Sequence, residues 1–152
     1  VTAARRAGTL ARMPQADFYL IDKPRFRDNP LLLVCELALR AFQHRQPALV
    51  LVRDLDEAEA LDELLWSFDE DAFIPHQIAG DTDDADTAVL IVPPGVDTPD
   101  RPLLINLREE PCLRDCARLL EVVPADAAAR SGSRARWRAY QQRGYVLAKH
   151  DM

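Results

Sequence analysis

Residues 47–52 read PALVLV, a continuous apolar run between polar neighbours that is too short for a helix. A strand of this kind buries both faces, which requires a sheet covered on both sides. TAVLIV (87–92), PLLINL (102–107) and LLEVV (119–123) read as further strands, and ADFYLI (16–21) adds an aromatic-rich strand ahead of them. YVLAKHDM at the carboxyl end supplies a candidate final strand. The stretches between have helical period. Asn29-Pro30 opens a helix to about position 44, its polar Glu36, Arg40, Gln43 and His44 forming one narrow stripe. Cys35 lies off that stripe, as a core residue would. Asp54 with Glu57 is a capping-box pair before an acid-rich helix over 55–66, with Ala58, Leu61 and Leu65 on its core face. Strands alternating with helices predict an α/β fold: one Rossmann-like domain, a mostly parallel sheet and helices on both faces. The pattern also allows a hairpin between 87–92 and 102–107, predicts a short amphipathic helix over 111–118, and leaves 69–81 irregular.

The chain's 152 residues suit a single domain with a full core. Residues 1–16 read as a flexible arm, with Met13 as a candidate natural start, and the structured domain is expected over 17–152. No apolar run approaches the roughly 18 residues of a membrane span, and the amino terminus shows no secretory pattern. Three cysteines, an odd number, argue against a disulfide framework and fit a reducing cytoplasm.

Charge is distributed unevenly. Between Asp126 and Asp151 there is no acid, while residues 130–149 carry five arginines and Lys149. Without those six cations the rest of the chain has 13 basic against 25 acidic residues, a net −12. One basic helix on an acidic body suits a compact anionic partner and opposes a long polyanion such as DNA. On a helical wheel Arg130, Arg134, Trp137, Arg138 and Gln141 share one arc, with Ala128, Ala135 and Ala139 opposite as a face for packing on a sheet. Gly132 leaves the start of the helix open. If Ser133 is the N-cap, Arg130 falls in the preceding loop.

The motifs of catalysis are missing from the sequence. Its glycines are too far apart for a dinucleotide or phosphate loop. Cys112 and Cys116 lack further soft ligands nearby, and His44, His76 and His150 are scattered. None of Ser67, Ser131 and Ser133 sits in a nucleophile elbow. DTDDAD (81–86) lacks the spacing of a calcium loop. No cofactor, metal or catalytic residue is therefore expected. Two candidate binding surfaces remain: the Arg/Trp arc, and the apolar set of Trp66, Phe73 and Pro75. The residues alone also leave open a nucleotide-binding module or enzyme whose site is assembled from scattered acids and His76, and direct binding of single-stranded DNA by the basic helix.

LDELLWSFDEDAFIPHQIAG (61–80) and RARWRAYQQRGY (134–145) resemble the chi subunit of bacterial DNA polymerase III. FYLI, CELALRAF, LVLV and LLINL follow that family in order, so that the resemblance covers about 17–145. It implies a non-catalytic accessory subunit of the clamp-loader assembly in replication and repair, cytoplasmic and brought to the nucleoid by the replisome. Such a subunit bridges the loader, through psi, to the acidic C-terminal tail of single-stranded DNA-binding protein, and touches DNA only indirectly. That tail ends in a Phe with a free carboxylate. The resemblance places the tail site at Arg130, Arg134, Trp137 and Arg138, with Val123 at the pocket floor. The family often has Lys at positions 130 and 138 and Tyr at 137, changes that keep charge and aromaticity. Trp66 and Phe73, with Pro75 beside them, match the surface for psi or for a helicase that competes with it.

Overall fold

A computed structural model describes residues 13–152; the expected amino-terminal arm lies outside the described residues over 1–12. The strands are β1 (Gln15–Leu20), β2 (Ala48–Leu51), β3 (His76–Ile78), β4 (Val89–Val92), β5 (Leu103–Asn106), β6 (Arg118–Val123) and β7 (Val146–Asp151). The helices are α1 (Pro24–Asp28), α2 (Pro30–Gln43), α3 (Leu55–Ser67) and α4 (Ala127–Gln142). All seven strands join one sheet in the order β3-β4-β2-β5-β6-β1-β7, and every pairing is parallel. From β1 the chain runs through β2 to one edge, with α1, α2 and α3 on one face. It then returns through β4, β5 and β6 to β7, with α4 on the other face. This is the α/β architecture expected from the alternation of elements.

Strand residues alternate between two cores. Tyr19, Val50, Ile91, Ile105 and Val122 join the core beneath α1, α2 and α3. Phe18, Leu49, Leu90, Leu104 and Val123 join the one beneath α4. Double burial thus explains the uninterrupted apolar runs. Cys35 is buried, as its place off the polar stripe of α2 indicated.

Several local readings need correction. The strands at 87–92 and 102–107 form no hairpin, because β2 lies between β4 and β5 and bonds both. Parallel strands cannot be joined by a tight turn, so 93–102 is a crossover. No helix forms over 111–118. The backbone there is irregular, Cys112 N–H donates to the Tyr140 hydroxyl, and Arg118 already belongs to β6. Within the stretch read as irregular, His76–Ile78 forms the edge strand β3. The first strand begins at Gln15, two residues ahead of the expected domain boundary.

Helix ends follow local chemistry. Asp54 accepts the Glu57 N–H at 2.8 Å, while the Glu57 carboxylate reaches back to the N–H of Arg53 at 3.0 Å rather than to that of Asp54. Asp126 caps α4 by accepting the Ala129 N–H at 2.8 Å. Ser133 is therefore inside the helix and Arg130 is helical. At the other end Gly144 takes φ +83°, with Gly144 N–H donating to Gln141 and Tyr145 N–H to Tyr140. This glycine-closed end turns the chain directly into β7.

Candidate functional site

One buried carboxylate sets the rotation of α4. Glu121 interrupts the apolar run of β6 and is 0% exposed. A charge in that position requires donors from every side. Arg136 Nε donates to Oε1 at 2.8 Å, and the Tyr140 hydroxyl and Asn106 Nδ2 donate to Oε2 at 2.6 and 2.8 Å. Burial pushes the Glu121 carboxyl above its ordinary range against the pull of Arg136, Tyr140 and Asn106. Burial, then the Glu121 charge, drives the Tyr140 phenol upward as well. Ala129, Ser133, Arg136 and Tyr140 consequently form the face of α4 toward the sheet. The expected alanine face does not pack there, since Ala128 and Ala135 are exposed. Wheel symmetry alone could not separate Arg136 from the other arginines; Glu121 within LLEVV was the available signal.

With that face turned inward, Arg130, Arg134, Trp137 and Arg138 converge on the last two strands of the sheet. They line a groove of about 750 Å³ with Phe18 and Leu20 of β1 and Leu147, Ala148 and Lys149 of β7. Phe18 supports the indole of Trp137 at 5.1 Å between ring centroids, tilted by 56°. Arg130 is held in place, donating to the carbonyls of Ile21 at 2.6 Å and Pro124 at 3.3 Å. Arg138 makes only a long bond to the Arg134 carbonyl, at 3.4 Å. No side-chain hydrogen bond or ion pair engages the Arg134 guanidinium among the described residues. The lining has four cations and no acid. Val123 is not at the floor: it is wholly buried beside Leu20, and Phe18, Leu20 and Leu147 line the groove instead. Lys149 was missed as a site residue because only the pairing of β7 with β1 brings it there. Guanidinium groups can fork onto carboxylates while the Trp137–Phe18 surface takes an apolar ring.

The second set lies at the opposite edge. Trp66, in the last turn of α3, is 59% exposed, and Phe73 is 65% exposed. Their ring centroids are 5.8 Å apart. Trp66 also covers the buried His76 ring at 4.7 Å, and half-buried Pro75 leads into β3. Six strand spacings of about 4.8 Å separate the two sheet edges, roughly 29 Å.

Of the scattered acids, Asp62 comes nearest to His76, its Oδ1 lying 3.4 Å from His76 Nε2. Both His76 nitrogens lie within hydrogen-bond distance of backbone carbonyls, Ile74 at 2.6 Å and Asp62 at 3.0 Å. In the DTDDAD loop Asp84 accepts bonds from Gly80 N–H and Gln77 Nε2, a role that shapes the loop itself. No group of three or more metal-ligating side chains converges among the described residues. Burial pushes the Cys112 thiol up and the Cys116 thiol up to about 12, which opposes thiolate formation. Among the described residues no helix is long and apolar enough to cross a membrane.

Comparison with known proteins gives a consistent result. The family model described as "DNA polymerase III chi subunit, HolC" matches residues 13–148. A relative from Pseudomonas aeruginosa, "DNA polymerase III subunit chi", is 38% identical, over 92% of this chain and 98% of that one. One of the same name from Escherichia coli is 30% identical, over 89% and 96%. Among solved structures, the C-terminal domain of the DEAD-box protein Dbp5 superposes with a TM-score of 0.61 at 13% identity. It covers 93% of this chain and 92% of that one, a likeness of fold.

Proposed function

The chain belongs to the DNA polymerase III chi subunit family, whose work is DNA replication, and from that premise we propose that it is a non-catalytic connector with two protein-binding edges. The α4–β7 groove receives the acidic, Phe-ending tail of single-stranded DNA-binding protein. Arg130, Arg134, Arg138 and Lys149 hold its carboxylates, and Trp137 on Phe18 accepts the terminal ring. The Trp66, Phe73 and Pro75 edge receives psi or a competing helicase, in the clamp-loader assembly.

One observation supports the groove assignment above the rest: four cations surround an aromatic floor, without an acid in the lining, on a protein of net charge −6. That juxtaposition selects a short acidic peptide, while the remaining surface repels long polyanions. Calorimetric titration with an acidic peptide ending in Pro-Phe tests it, at low and moderate salt. Binding weakens as salt screens the arginines, and Arg134→Ala lowers affinity about tenfold or more, the loss of a charge-assisted bond. A folded protein that fails to bind the peptide would exclude the reading.

A further inference from the structure

The groove is open along the outer side of β7, and the geometry of that strand specifies more than a set of side-chain contacts. Val146 N–H donates to the Pro14 carbonyl and Met152 N–H to that of Leu20, both at 2.9 Å. In a parallel ladder donors alternate along the strand, so even-numbered positions of β7 bond β1. Leu147, Lys149 and Asp151 therefore turn their backbone N–H and C=O outward. Among the described residues β7 has no neighbour on that side. Leu147 and Lys149 are also groove residues, so an open main-chain edge and the basic lining occupy the same place. Resting on the tail-receptor reading above, we infer that the acidic peptide adds to the sheet as an eighth strand, its backbone paired with Leu147 and Lys149 of β7.

Charge identifies the occupant. A regular six-residue edge is open to any extended chain, including another copy of this protein. A second copy would bring an edge of mixed charge, Lys149 with Asp151, and so is no better than neutral towards the cations of this groove. For an acidic strand the same lysine is complementary, and Arg134 and Arg138 extend that complementarity across the groove. Asp151 sets the far limit, since its carboxylate repels an acidic strand beyond Lys149. Edge addition also provides affinity from backbone bonds that every sequence can make, leaving selection to the arginines and the aromatic floor.

The test uses the full chain and a Pro-Phe-ending acidic peptide, unmodified or N-methylated at one backbone position at a time. Strand addition predicts a period of two: methylation at alternate positions weakens binding roughly tenfold or more, and at the positions between them little. Amide hydrogen exchange at Leu147 and Lys149 slows when the unmodified peptide binds. Tight binding with every methylated peptide tolerated, and no added protection, would overturn strand addition while leaving the tail receptor standing. Failure of the unmodified peptide to bind would overturn both. Protection that rises with protein concentration in the absence of peptide would assign the edge to a second copy and likewise overturn the inference.

Discussion

Glu121 is the residue on which the orientation of the binding helix rests. Arg136→Ala strands a buried carboxylate and should cost about 3–5 kcal/mol in denaturant unfolding. Tyr140→Phe removes a donor to Glu121 and the acceptor for the Cys112 N–H, for about 2 kcal/mol. A second buried carboxylate gives the acid dependence. Burial alone would raise the Asp17 carboxyl, but hydrogen bonds from His150 and Arg118, with the Arg118 charge, hold it below its ordinary value. A depressed folded-state value stabilises the protein above the unfolded carboxylate range, and that stability is lost as pH falls through the folded value. Asp17→Asn should therefore flatten the decline in unfolding free energy below about pH 5 relative to wild type. At this scale the sequence was informative wherever helical spacing grouped like residues, as with Arg134, Trp137 and Arg138. It was not informative for Arg136, which shares their type and differs only in what faces it across the sheet.

Among the elements, α4 depends on its ends. Asp126→Ala should cost about 1 kcal/mol and lower the melting temperature by roughly 2–4 °C in a chain of this size, fraying the turn that carries Arg130. The strands were legible because doubly buried segments are apolar without alternation. Their order was not, since β2, β4 and β5 are chemically alike and parallel pairing leaves no turn to mark neighbours. β3 escaped notice because three residues, only partly buried at Gln77 and Ile78, have too little pattern to read. The stretch at 111–118 has helical spacing in Cys112 and Cys116, but its backbone is committed to Tyr140 and to the start of β6.

Over the whole molecule, the two candidate surfaces occupy opposite edges of one rigid sheet and share no side chain. Trp66→Ala and Phe73→Ala should leave tail-peptide affinity within about twofold of wild type in the same titration, as expected of distant, independent sites. β1 lies between β6 and β7, so it pairs only with strands that follow it by about a hundred residues or more. Phe18 and Leu20 are made before Leu147 and Lys149, and the groove they help line acquires its outer wall only when β7 has followed. A prematurely ended product that stops before Val146 can have the arginines and the tryptophan, but it lacks half of the cleft.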